Sequence, residues 1–219
     1  MYNIFMQLTA ERDTLLKIIR SWSLSDEKIV IGIDGYSGAG KTTLLHSIEK
    51  HTDDFLVVNR DDFAIPREQF KRNFEKMNSE TEKIHLLVDN TIDVEELVSL
   101  LKTYKTNNEK ILWNVRDEIS GIKDKKKRFD FSKKVLIIEG IFLFHSNELA
   151  DLLDKKIFIN IDPELADSRR RNREMKKWGK DYFPDTHPDS YSRLIKIGFI
   201  DYLMNENPIA QADFVINKK

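Results

Sequence analysis

The 219-residue chain contains no cysteine. Disulfides and thiolate metal sites are thereby excluded, and a reducing compartment such as the cytoplasm is expected. An excess of charge of either sign is also missing, since 36 Lys and Arg against 37 Asp and Glu leave a net charge of −1 at pH 7. So weak an overall field does not draw the chain onto nucleic acid or an anionic membrane, and any basic surface must be local. No apolar run approaches the ~20 residues of a membrane-spanning helix. The start, Met1-Tyr2-Asn3-Ile4-Phe5-Met6-Gln7, lacks the charged flank and long apolar core of a signal peptide. Internal repeats and low-complexity segments are absent as well. What is present, 40% hydrophobic and 33% charged residues, suits an intracellular, soluble α/β chain with one well-buried domain and room for an insertion. Homo-oligomerisation is left open.

Against these absences stands Gly35-Tyr36-Ser37-Gly38-Ala39-Gly40-Lys41-Thr42, which fits the phosphate loop G-x-x-x-x-G-K-[ST]. Its glycines let consecutive backbone N–H groups turn inward, and its lysine adds a mobile positive charge. The apolar run Ile29 to Ile33 reads as a buried strand before the loop, and Thr42 to Glu49 as a helix after it, burying Leu44, Leu45 and Ile48. Strand, loop and helix N-terminus together make an anion site. Gly35, Ser37, Gly38, Ala39, Gly40, Lys41, Thr42 and Thr43 are therefore expected to bind the phosphates of a nucleotide.

Further along, a helix is expected from Leu8 to Trp22, strands at Phe55–Val58, Lys110–Val115, Val135–Ile138, Lys156–Ile161 and Asp213–Asn217, and helices at Val94–Tyr104 and Leu149–Leu153. A long arginine-rich helix starts near Glu164. The stretch from Pro66 to Asn90 has no clean period, and the basic run Lys123 to Arg128 reads as a solvated hairpin turn. Apolar strands alternating with helices imply a three-layer α/β fold, with a mostly parallel sheet flanked by helices and a small helical lid. The expected organisation is one domain over 1–219, with an insertion at about 66–130 and a lid helix at about 164–182.

In such sheets ligands sit beyond the carboxyl ends of the strands. Phosphoryl transfer needs Mg²⁺ to bridge phosphate oxygens, a group that takes or positions the acceptor hydroxyl, and cations for the transition-state charge. Thr42 is placed to put its hydroxyl on Mg²⁺. Asp61, after the second strand, offers a carboxylate to an attacking alcohol; Asp61 or Asp62 can equally cap a helix or form a surface salt bridge. Glu139 is costly to bury alone, which makes Mg²⁺ or its waters a fitting partner. Arg169, Arg173, Lys176 and Lys180 recur along one helical face and can close over phosphate, or form an exposed helix paired with Glu174 and Asp181. His85, His145 and His187 are scattered and read as structural or surface residues.

Together, Ile33-Asp34-Gly35 leading into Gly40-Lys41-Thr42-Thr43-Leu44, Asn59-Arg60-Asp61-Asp62-Phe63, Ile137 to Phe142, the arginine helix and the tail Asn207 to Ile216 resemble the uridine kinase and phosphoribulokinase group of P-loop kinases. Nicotinamide riboside kinases and bacterial uridine kinase-like proteins are especially similar. The resemblance implies ATP-dependent phosphorylation of a primary alcohol, often a ribonucleoside 5′-hydroxyl. It implies that Asp61 binds the acceptor hydroxyl and helps order Mg²⁺, and that Glu139 lies near the metal. By the same carry-over, Arg169, Arg170 and Arg173 are lid and substrate arginines, and Lys180 is a further lid cation. Catalysis then falls to Asp61, Lys41 and Arg173. The stretch from Pro66 to Arg128 matches poorly, and the family's tyrosine-and-histidine segment corresponds here to Trp113-Asn114-Val115-Arg116-Asp117-Glu118, without histidine. Trp113 can stack on a base with Arg116 or Asp117 bonding to it, or it can be a core tryptophan.

A switch or motor ATPase without a small-molecule acceptor is the competing reading. Neither Asn-Lys-x-Asp nor Leu-Ser-Gly-Gly-Gln occurs, which disfavours GTPases and transporter ATPases, and the neutral balance disfavours a nucleic-acid end kinase.

Overall fold

The computed structural model describes residues 2–179, 182 and 184–218. In chain order the elements are α1 (Tyr2–Trp22), β1 (Ile29–Gly35), α2 (Lys41–Glu49), β2 (Phe55–Asn59), a 3₁₀ turn (Arg60–Phe63), α3 (Arg67–Glu75), α4 (Glu80–Asp89) and α5 (Val94–Thr106). They continue with β3 (Lys110–Val115), β4 (Lys125–Asp130), β5 (Val135–Glu139), α6 (Asn147–Ala150), β6 (Lys155–Ile161), α7 (Pro163–Trp178), α8 (Tyr191–Glu206), α9 (Pro208–Gln211) and β7 (Phe214–Lys218). Every residue of β1 and β5 is buried, as the apolar runs Ile29–Ile33 and Val135–Ile138 within them require of strands covered on both faces. The main sheet runs β2-β5-β1-β6-β7 with all its pairings parallel. Its register sets Asn59, Glu139 and Ile33 side by side. The carboxyl ends of β2 and β5 are thus level, and β1 runs on past them to Gly35, where the glycine loop begins. Among the described residues no helix is long and apolar enough to cross a membrane.

Two expectations need correction. The basic run is not a turn: Lys125–Asp130 is β4, antiparallel to β3, with Phe129 buried and Lys127 paired to Asp62 at 2.7 Å. The connection instead lies between the two strands, where the Asp117 Oδ1 accepts from the Ile119 and Ser120 amides. The short helix expected at Leu149–Leu153 sits earlier, at Asn147–Ala150. The unperiodic stretch holds α3 and α4, the latter opened by a capping box in which Ser79 and Glu82 satisfy each other's amides.

His145, in the loop after β5, ties three elements together. Its Nε2 lies 2.5 Å from Asp89 Oδ1 at the end of α4, and its Nδ1 lies 2.5 Å from Glu206 Oε1 at the end of α8. Burial alone lowers the imidazole pKa, but the bonds and charges of Glu206 and Asp89 outweigh it and raise the value above 6.5. The folded state therefore holds this proton more tightly than the unfolded chain. Its stabilisation is complete below the ordinary histidine range and fades as pH rises through the raised value. We expect the melting-temperature gap between wild type and His145→Gln to be wider at pH 6 than at pH 9. A gap that stays constant or widens towards pH 9 would refute this account.

Candidate active site

The glycine loop is held open by contacts that exclude side chains. Gly40 is the N-cap of α2 in the left-handed region, φ 81°, and contributes no side-chain cap to the first-turn amides. At Gly38, φ 93°, an added Cβ would lie 2.3 Å from the Ala166 carbonyl oxygen. The loop is therefore seated directly on α7, and only glycine fits there. Gly35 and Ala39 shape the loop from beneath: the Gly35 carbonyl accepts from Lys41 Nζ at 2.7 Å, and Ala39 is fully buried. Ser37, Gly38, Gly40, Lys41, Thr42 and Thr43 line a cavity of about 420 Å³.

The same cavity receives Asp61 and Glu139. The Asn59 side chain accepts from the Asp61 amide at 2.8 Å, so asparagine rather than aspartate caps the 3₁₀ turn and the Asp61 carboxylate remains exposed. Glu139 is buried and accepts from the Thr42 hydroxyl at 2.7 Å. Burial pushes its carboxyl above the ordinary range, against the pull of Lys41 and the Thr42 bond. Lys41 is buried too; burial lowers its ammonium pKa, while Glu139, Asp34 and Asp61 act in the other direction. The three strand ends thus gather one ammonium, one hydroxyl and two carboxylates around a single cavity. Among the described residues no cluster of three or more His, Asp and Glu side chains forms a metal cage. A hard cation bound here would take oxygens from Thr42, Glu139 and Asp61 and complete its shell from elsewhere, as Mg²⁺ does when it shares phosphate oxygens and waters.

Helix α7 contributes two of its arginines to the cavity. Arg169 and Arg173 line it, and Arg173 Nη2 donates to Ser37 Oγ at 3.2 Å. Lys176 is exposed and lies off the cavity, and Lys180 falls outside the described residues. Arg170 departs from expectation. It is 1% exposed, donates to the Ser192 carbonyl at 2.6 Å, and pairs with Asp167 at 3.0 Å. Asp167 in turn accepts from the Tyr36 hydroxyl at 2.7 Å and from Lys196 at 2.5 Å. Arg170 therefore fastens α7 to the glycine loop and α8 instead of facing the cavity. Trp113 is likewise committed, its indole N–H donating to Glu96 Oε1 at 3.0 Å while the ring packs on the core. Arg116 does not line the cavity either, but its amide donates to the Asp62 carbonyl at 2.8 Å, which anchors the end of β3 beside the Asp61 turn.

Asp34 is a site residue to which sequence reasoning gave no role. It is fully buried; its Oδ1 accepts from the Gly35 amide at 2.6 Å, and its Oδ2 from the Tyr202 hydroxyl at 2.7 Å and the Leu143 amide at 2.8 Å. One carboxylate thus joins the start of the glycine loop, the segment after β5 and α8. An aspartate directly before the loop, inside an otherwise apolar strand, was the available signal, because a buried carboxylate must find donors.

A family model for the phosphoribulokinase / uridine kinase family matches residues 30–218. The chain belongs to that family. Among curated proteins this kinase is similar to the uridine kinase of Chlamydia pneumoniae, 32% identical over 155 residues that cover 69% of this chain and 66% of that one. It is also similar to the uridine kinase of Oceanobacillus iheyensis, 29% identical over 189 residues, covering 86% and 85%. The fold is shared with a possible uridine kinase from Bacillus stearothermophilus, at a TM-score of 0.68 and 21% identity over 96% of this chain and 99% of that one. Family membership makes the protein a phosphotransferase acting on a hydroxyl group, and the switch-ATPase reading is not favoured.

Proposed function

We propose that the protein phosphorylates the primary hydroxyl of a nucleoside or riboside, with ATP as donor and Mg²⁺ as its metal. The carrying observation is the meeting of Lys41, Thr42, Asp61, Glu139, Arg169 and Arg173 at one cavity. The loop amides and Lys41 hold the β- and γ-phosphates, Lys41 exchanging its bonds to the Gly35 and Tyr36 carbonyls for phosphate oxygens. Thr42, Asp61 and Glu139 are the oxygen donors for Mg²⁺, which when bound neutralises phosphate charge. Asp61 accepts the proton of the acceptor hydroxyl, and Arg169 and Arg173 stabilise the γ-phosphoryl group in transfer. The acceptor side is assigned to the 66–130 segment beyond Asp61, where the Arg116 amide and the Lys127 ammonium both bond to Asp62. The curated relatives' activity on uridine supports a nucleoside, and the absence of cysteine suits a cytoplasmic enzyme.

The test is a panel of nucleosides, ribosides, vitamin alcohols and sugar phosphates, incubated with ATP and Mg²⁺ and followed by mass spectrometry. At least one nucleoside or riboside should gain a phosphoryl group faster than ATP is hydrolysed without it. If every acceptor left the ATPase rate unchanged and none was phosphorylated, the assignment would fail in favour of a switch ATPase.

A further inference from the structure

One wall of the phosphate cavity lies partly outside the family match. Helix α1 precedes residue 30, where that match begins, yet its Leu8 and Glu11 line the cavity together with Lys218 of β7. Lys218 Nζ pairs with Glu11 Oε2 at 2.9 Å, and the two side chains are 6% and 13% exposed. The ammonium stands against the glycine loop: a Cβ built on Gly40 would come within 3.2 Å of it. Gly40 is where the first-turn amides of α2 and its dipole favour an anion, so Lys218 adds a full positive charge to that same place. A largely buried ion pair adds little stability, because desolvating both charges offsets their attraction. Its position therefore calls for another account.

We propose that Lys218 is a nucleotide-contacting residue: its ammonium binds the phosphate chain of ATP, phosphate replacing Glu11 as its partner. Glu11 holds the lysine at the loop before the nucleotide arrives, and α1 thereby becomes part of the nucleotide site. This rests on the reading of the cavity as an ATP site. Titration calorimetry of the full chain with Mg-ATP tests it, beside the acceptor KM. Lys218→Met should weaken ATP binding about tenfold, the loss of one charge-assisted contact. Lys218→Arg should restore affinity to within about threefold of wild type, and the acceptor KM should stay within about twofold. Glu11→Gln removes the competing carboxylate and should tighten ATP binding at least about twofold. A Lys218→Met protein that binds ATP like the wild type would overturn the inference while leaving the kinase reading intact. Wild type that binds ATP but phosphorylates no acceptor would do the reverse. Should Lys218→Met not fold, Glu11→Gln decides alone, and unchanged or weaker ATP binding overturns the proposal.

Discussion

Asp61→Asn should lower the rate of phosphoryl transfer by about 10²- to 10⁴-fold, the span associated with losing a positioned general base. ATP affinity should remain within about threefold, because phosphate binding rests on the loop amides and Lys41. The substitution is nearly isosteric, and the turn does not depend on the carboxylate: the Asn59 side chain fixes the Asp61 amide, and the Asp61 side chain is exposed. Melting temperature should therefore hardly move. The measurement pairs kcat for the phosphorylated acceptor with calorimetric ATP binding. If the variant lost ATP binding but turned over normally per bound ATP, Asp61 would be a nucleotide ligand and not the group that receives the acceptor proton.

The sheet and the phosphate loop were legible because each rests on local physics. Ile29–Ile33 and Val135–Ile138 are unbroken apolar runs that only doubly covered strands accommodate, and they became β1 and β5. The glycine loop carries its backbone geometry in its own residues. Convergence of the site followed from topology, since parallel strands with level ends deliver Asn59 and Glu139 side by side. Helix α8 was not legible: its buried positions include Ser192 and Gly198, so the apolar pattern is broken where α4 packs closely on it. Strand β4 was hidden by its basic residues: Lys125, Lys126 and Arg128 are exposed, Lys127 pairs with Asp62, and Phe129 alone of the strand is buried. Trp113 takes the core alternative that the sequence left open, and Arg170 is turned away from the cavity, for a different reason. Both side chains are claimed by partners elsewhere in the chain, Glu96 for the indole and Ser192 with Asp167 for the guanidinium. Pairings of that kind depend on tertiary approach, and a single sequence does not encode them in any spacing.

Lys41→Ala should damage both binding and rate, with kcat falling by about 10²- to 10³-fold, as for removal of one donor aimed at developing charge, and ATP affinity falling in parallel. Its second effect is on stability and has a sign fixed by its neighbours. Glu139 and Asp34 are both buried, and both carboxyls are already pushed above their ordinary values by burial, with Lys41 partly opposing the push. Without the ammonium the opposition is lost and both rise further. A carboxyl whose folded pKa exceeds its unfolded one binds more protons in the folded state, so stability falls as pH rises from the ordinary value, 4.5 for Glu139, towards the raised one. The alanine variant should therefore lose melting temperature relative to wild type progressively as pH rises above the ordinary carboxylate range. Lys41→Met, which restores the aliphatic volume but not the charge, should show the same pH trend with a smaller constant offset. A deficit that is independent of pH would mean that Lys41 supports the loop only through its bonds to the Gly35 and Tyr36 carbonyls, and that the neighbouring carboxylates find their compensation elsewhere.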